Sequence, residues 1–227
     1  MLTGWWIWMP KAWLIFKKDV QQEFRTRYAL NAILLFSVVT LTAVSFSIGS
    51  FSVDEDVLSA LLWIILFFSA MSGLAHIFVR EEETHTADTL KLVSAPVNIF
   101  LGKLFFNLFL LLALEIITVP LFVAVMNFGL GNVALFIITL LSGSIGLAGG
   151  GTMVAAIISK AGAKGALFTV LAFPILLPVL VSGISATKIC ALGGDFSSAS
   201  AELQTILAYD VVVITASILL FDFVWND

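Results

Sequence analysis

"LGKLFFNLFLLLALEIITVPLFVAVMNF", Leu101 to Phe128, runs for 28 residues with only two ionisable side chains, Lys103 and Glu115. A helix needs about 20 mostly apolar residues to cross the hydrocarbon core of a bilayer. This run exceeds that length, so it must tilt or overhang the membrane. It lacks the alternation of apolar and polar positions that a barrel strand requires. Five more stretches read the same way: Leu30–Phe51, Val57–Val79, Gly131–Ser159, Ala166–Thr187 and Gln204–Trp225. The composition agrees, because 60% of the 227 residues are hydrophobic, 11% are charged and the mean hydropathy is +1.10. A soluble domain carries about 25% charged residues, and a chain with so few needs lipid as its main solvent. The predicted fold is all-α: an integral membrane protein with six transmembrane helices.

The basic residues orient the spans. Lys11, Lys17, Lys18, Arg25 and Arg27 precede the first span. Arg80, Lys91 and Lys103 follow the second, and Lys160 and Lys164 follow the fourth. That puts ten cations on one side, against Lys188 and the acidic "VDED" at Val53–Asp56 on the other. Positive loops stay inside, so both termini and the loop after the second span are expected in the cytoplasm. The net charge of −4 is weak and gives no argument for nucleic acid as a partner. The single cysteine, Cys190, excludes an internal disulfide, a multi-cysteine zinc site and CxxC redox chemistry, and its apolar setting reads as inert.

Residues 1–29 read as a separate N-terminal unit and 30–227 as the six-helix transmembrane domain. "GWWIWM" (Gly4–Met9) is too short for a signal peptide and runs into Pro10 and several lysines. From Trp13 the pattern is amphipathic. Trp13, Phe16, Val20, Phe24 and Tyr28 step by 3, 4, 4 and 4 and share a face, while Lys17, Lys18, Gln21, Gln22 and Arg25 lie on the others. Such a helix would lie in the lipid headgroup region.

Inside the membrane, ionisable groups are costly and mark function. Glu115 could bond a neighbouring helix, line a polar path or partner contact, or relay protons. A relay would need a second titratable group at its depth, and none is evident, since Asp210 reads near the outer end of span six and Asp222 near its inner end. Gly143, Gly146 and Gly150 in "LLSGSIGLAGGGTM" put small residues on span four. Each glycine costs a helix about 1 kcal/mol against alanine, and close helix approach is the usual return; a break in the helix is the alternative. The "GGG" of this span lacks the following GKS or GKT of a phosphate loop. Pro120 in span three and Pro174 and Pro178 in span five each remove a backbone hydrogen bond, which predicts kinks. His76 and His85 are nine residues apart and lack the HxxxH spacing of a helical metal pair.

The polar exception is "REEETHTADTLKLVSAP", Arg80 to Pro96, which holds four of the fifteen acids and one of the two histidines. It predicts a short helix over Arg80–Ser94. Glu81, Glu82 and Glu83 fall in its first turn, where the helix dipole favours them, and Leu90 and Val93 form a small apolar face. Ala95-Pro96 ends it. The segment is either a solvated loop or a coupling helix seated in a groove on a soluble partner.

Residues Arg80–Asn107 resemble the segment after the second span of ABC exporter permeases. The matching features are the acids Glu81–Glu83, the pair Thr89-Leu90, Ala95-Pro96-Val97 and Gly102-Lys103; "THTADT" departs from the usual Gly-Thr/Ser. Together with "ITVPLF" (Ile117–Phe122) and "FPILLPVLVSG" (Phe173–Gly183), the chain is similar to the CcmB family, the haem exporter B subunits of cytochrome c maturation. The resemblance implies a permease subunit in the cell inner membrane and an ATPase subunit similar to CcmA docking on Glu81, Glu82, Glu83, Asp88 and Leu90. It also implies membrane partners similar to CcmC and CcmD and a haem chaperone similar to CcmE. ATP would be hydrolysed in the partner, since this chain has no phosphate loop. Haem is the candidate substrate, with no intramembrane ligand evident. ATP-driven motion would either export haem or release the loaded chaperone. The alternative is the membrane subunit of another small exporter, of drugs, lipids or polysaccharides. An intramembrane enzyme has no nucleophile–base pair to stand on.

Overall fold

The computed structural model describes residues 5–48, 53–74, 76–160 and 166–226. Nine helices cover them: α1 (Trp5–Thr26), α2 (Tyr28–Ile48), α3 (Glu55–Leu74), α4 (His76–Glu83), α5 (Ala87–Val93), α6 (Pro96–Met126), α7 (Val133–Lys160), α8 (Ala166–Ala191) and α9 (Ser200–Asn226). No strand occurs among the described residues. Six segments are long and apolar enough to cross a membrane: α2, α3 continued through α4, α6, α7, α8 and α9. These are the six runs read from composition. The end of the first run at Phe51, Lys164 and the side chains of Trp5, Trp6 and Trp8 lie outside what the structure describes.

The span borders follow local chemistry. Pro96 opens α6 after an extended Ala95, because a proline at the first helical position gives up an N–H that would have no partner there. Asn127 closes it in the left-handed region at φ 51°, a conformation that asparagine tolerates better than most residues.

The segment Arg80–Ser94 is not the single helix that its pattern predicts. α4 ends at Glu83, His85 sits at φ 53°, and α5 begins at Ala87. The threonines explain the break. Thr84 Oγ1 donates to Arg80 O at 2.8 Å, and Thr86 N donates to Glu81 O at 2.9 Å, so hydroxyls and a tight turn compete with helical continuation. Glu81–Glu83 therefore lie in the last turn of α4, where the dipole opposes carboxylates, and Asp88 is the acid in the first turn of α5.

α1 lies along the start of α6. Its buried stripe is Ala12, Ile15, Asp19 and Glu23, rotated from the aromatic face read in the sequence. Trp13, Phe24 and Tyr28 are exposed, and Phe16 and Val20 are half-buried against the core. Gly102 permits the contact, since a Cβ there would stand 2.8 Å from Ile15 and 2.9 Å from Ala12 O.

α7 runs through the middle of the bundle, and its small residues let neighbours close in. A Cβ on Gly143 would collide with the Trp63 ring, one on Gly146 would lie 2.5 Å from Asp210 Oδ1, and one on Gly150 would lie 2.6 Å from Leu176. The helix is continuous through this stretch, which fits close approach rather than a break. Pro120 sits inside α6, and Pro174 and Pro178 inside α8. Between the two α8 prolines, Ile175 O accepts a hydrogen bond from Tyr209 Oη at 2.7 Å, an example of a neighbouring helix satisfying backbone near proline.

Candidate functional site

At the end of the bundle that carries α1, the first turns of α6 place Lys103 with no accessible surface. A buried ammonium must be matched by carboxylates in good geometry, or its desolvation costs several kcal/mol. Lys103 Nζ lies 2.6 Å from Glu81 Oε1 and 3.0 Å from Asp19 Oδ2, and it donates to Ile77 O at 3.3 Å. Lys18 Nζ closes the other side, 2.5 Å from Glu81 Oε1 and 3.4 Å from Asp19 Oδ1. Thr86 Oγ1 donates to Glu81 Oε2. One cluster thus ties α1, α4 and α6 to the start of α5. Burial alone would lower the Lys18 pKa, but Asp19 and Glu81 outweigh it and hold the ammonium above its ordinary value.

The hairpin formed by α4 and α5 is fastened elsewhere too. Lys11 Nζ donates to Val93 O at 3.3 Å, placing a cation on the carbonyl end of α5, where the dipole favours it. Lys160 Nζ is 3.3 Å from Glu82 Oε1. Lys160 and Lys91 stand 5.2 and 5.9 Å from the ring centroid of the buried Trp225, within cation–π range. The hairpin therefore touches α1, α6, α7 and α9, the last through a residue near the end of the chain.

The five docking residues read from the sequence divide. Glu81 is buried in the lysine cluster, Leu90 is half-buried against the core, and Glu82 faces Lys160. Glu83 and Asp88 are exposed. The exposed apolar pair of α5 is Leu92, 88% accessible, and Val93. Leu92 was missed because the sequence reading took Leu90 and Val93 as the apolar face. The 3.6-residue period that puts Asp88 and Leu92 on one side was the available signal.

Within the spans, Ser144 Oγ donates to Glu115 Oε1, the neighbour-helix bond that was one of three readings of that residue. On the same seam Asn107 Nδ2 donates to Thr152 Oγ1 at 2.8 Å. Thr118 Oγ1 donates to Ser37 Oγ at 3.1 Å, and Trp63 Nε1 to Thr187 Oγ1 at 2.8 Å. Asp210 is buried against Gly146, and neither of its oxygens has a hydrogen-bond partner. Ser144 and Gly146 are two residues apart on α7, so Glu115 and Asp210 flank that helix at nearly one depth. The sequence put Asp210 near the outer end because span lengths alone do not align two helices. Asp222 is exposed and accepts from Asn226 Nδ2 at 2.8 Å. Cys190 is buried.

His76 stacks edge-on against Tyr28 with centroids 4.9 Å apart, and His85 lies exposed in the hairpin turn. Among the described residues no group of three or more His, Cys, Asp or Glu side chains could hold a metal ion.

A family model described as CcmB protein matches residues 10–222. No curated protein matches the chain.

Proposed function

The chain belongs to the CcmB family, membrane subunits of a haem-exporting ABC transporter in cytochrome c biogenesis, and on that premise we propose how this multi-pass protein works. The charged end faces the cytoplasm from the cell inner membrane, and both termini lie there. Residues 30–227 form the transmembrane domain, and α1 rests in the headgroup region beside it. An ATPase subunit similar to CcmA seats the α4–α5 hairpin in a groove, with Leu92 and Val93 as the apolar contact and Glu83 and Asp88 at its rim. Hydrolysis takes place in that partner. The two states of the ATPase must bind the hairpin with different affinity for the motion to be driven.

One observation carries this reading. The hairpin presents two exposed apolar residues outward while ion pairs and ring contacts fasten it to α1, α6, α7 and α9. A displacement applied at Leu92 is thereby delivered to several spans. Pro120, Pro174 and Pro178 give α6 and α8 places to bend.

Membrane partners similar to CcmC and CcmD, and a haem chaperone similar to CcmE, complete the assembly. Haem is its cargo. Release of the loaded chaperone is favoured over passage through this subunit, because the polar groups of α6 and α7 bond one another across their seam. Haem uptake by inverted vesicles, with and without the complex, separates the two modes. For docking, Leu92→Asp combined with Val93→Asp should abolish co-purification of the ATPase subunit while the membrane partners remain bound. Undiminished recovery of the ATPase would remove the docking claim.

A further inference from the structure

A cavity of about 500 Å³ opens between α1, α2, the α3–α4 pair and α6 at the charged end. Glu81 and Glu83 of the hairpin line it, while Asp88, Leu92 and Val93 lie outside it. Its walls carry Asp19, Glu23, Glu81 and Glu83 together with Arg80 and Lys103. Lys103 and Lys18 are taken up by Asp19 and Glu81. Glu23 is a different case. It is 2% exposed, its Oε1 accepts from Leu30 N at 2.9 Å, and among the described residues no hydrogen bond or ion pair reaches Oε2. Asp19 Oδ2, also buried, makes its ion pair without an aligned hydrogen bond.

Arg80 faces the same space with donors to spare. With the Gln22 amide turned so that its oxygen meets the guanidinium, that oxygen accepts from Arg80 Nη2 at 2.7 Å and Nε at 3.1 Å. Both protons on Nη1 remain. The remaining wall is apolar, formed by Ala29, Ile77 and Phe106. Below the cleft, α2 turns Leu35 and Val39 outward, a surface suited to acyl chains.

We propose that this cleft binds the headgroup of a phospholipid bearing a primary amine, with the ammonium on Glu23 and the phosphate on Arg80. The buried Glu23 carboxylate disfavours an anionic group beside it, the carboxylates of haem included. The adjoining apolar face of α2 favours a membrane lipid over a soluble amine. A primary ammonium brings three donors, where a trimethylated headgroup brings none, so the site discriminates by hydrogen bonding and not by charge alone.

The test uses the full chain in nanodiscs of phosphatidylcholine doped with phosphatidylethanolamine or phosphatidylglycerol, with retained lipids read by native mass spectrometry. Phosphatidylethanolamine should be retained over phosphatidylcholine by about tenfold, the usual effect of one charge-assisted hydrogen bond. Glu23→Gln should erase that preference and leave the melting temperature in pure phosphatidylcholine unchanged, because glutamine still offers Leu30 an acceptor. Stepwise N-methylation of the headgroup, done on the unaltered protein, should reduce retention in step. Equal retention of all lipids, a preference for phosphatidylglycerol, or a preference that survives Glu23→Gln would overturn the proposal. Displacement of the lipid by spermidine at comparable concentration would assign the cleft to a soluble amine and overturn it equally.

Discussion

Lys103 has no accessible surface and sits between Glu81 and Asp19. Removing one partner of a buried ion pair costs about 3–5 kcal/mol, because the other charge stays buried without compensation. Lys103→Met should therefore lower the melting temperature of the purified protein sharply. Adding Glu81→Gln to it should recover part of the loss, and a double-mutant cycle should report a coupling of at least about 1 kcal/mol. Independent, additive losses would mean that the cluster does not act as a unit. Gly143 makes a second residue-scale case. Gly143→Ala puts a methyl group into the buried Trp63 ring, whose Nε1 is held by Thr187. Overpacking of this kind costs about 1–3 kcal/mol. Gly129→Ala is the control, since its Cβ would meet only Glu55 at 3.4 Å. Equal melting temperatures for the two variants would deny that Gly143 is there to admit the ring.

At the scale of elements, the α4–α5 turn is the feature with the sharpest conformational demand. His85 holds φ 53°, and a left-handed backbone costs a non-glycine residue about 1–2 kcal/mol. His85→Gly should raise thermal stability, and His85→Val should lower it, because a β-branched residue suffers most at positive φ. The opposite order would mean that residues 80–94 form one unbroken helix. This turn also marks where the sequence was hard to read. The six spans were legible because 20-residue apolar runs have one physical explanation. The small-residue packing on α7 was legible for a related reason: repeated glycines in a helix need compensation, and Gly143 and Gly146 receive it from Trp63 and Asp210. Glu81 was misplaced because a run of acids before an apolar pair looks the same whether it opens one helix or closes another. The two lysines that decide its role, Lys18 and Lys103, are 63 and 22 residues away. The buried face of α1 was misread for a comparable reason. Periodicity selects an aromatic stripe, but a stripe can face lipid as well as protein, and the stripe that meets α6 contains Asp19 and Glu23.

At the scale of the whole molecule, the proposed orientation puts the charged end, both termini and the hairpin on one side of the membrane. Its single cysteine is buried, which makes cysteine labelling practicable in a Cys190→Ser background. Leu92→Cys should react with a membrane-impermeant maleimide in inverted vesicles and not in intact cells, and Asp54→Cys should show the reverse. The central claim is narrower: the hairpin is the surface that the ATPase grips. The most direct measurement is photo-crosslinking from a benzophenone amino acid placed at Leu92 in the assembled transporter, with the adduct identified by mass spectrometry. The account requires an adduct with the ATPase subunit whose yield changes between nucleotide-free and ATP-bound states. An adduct only with lipid, or with a partner on the opposite side of the membrane, would contradict it.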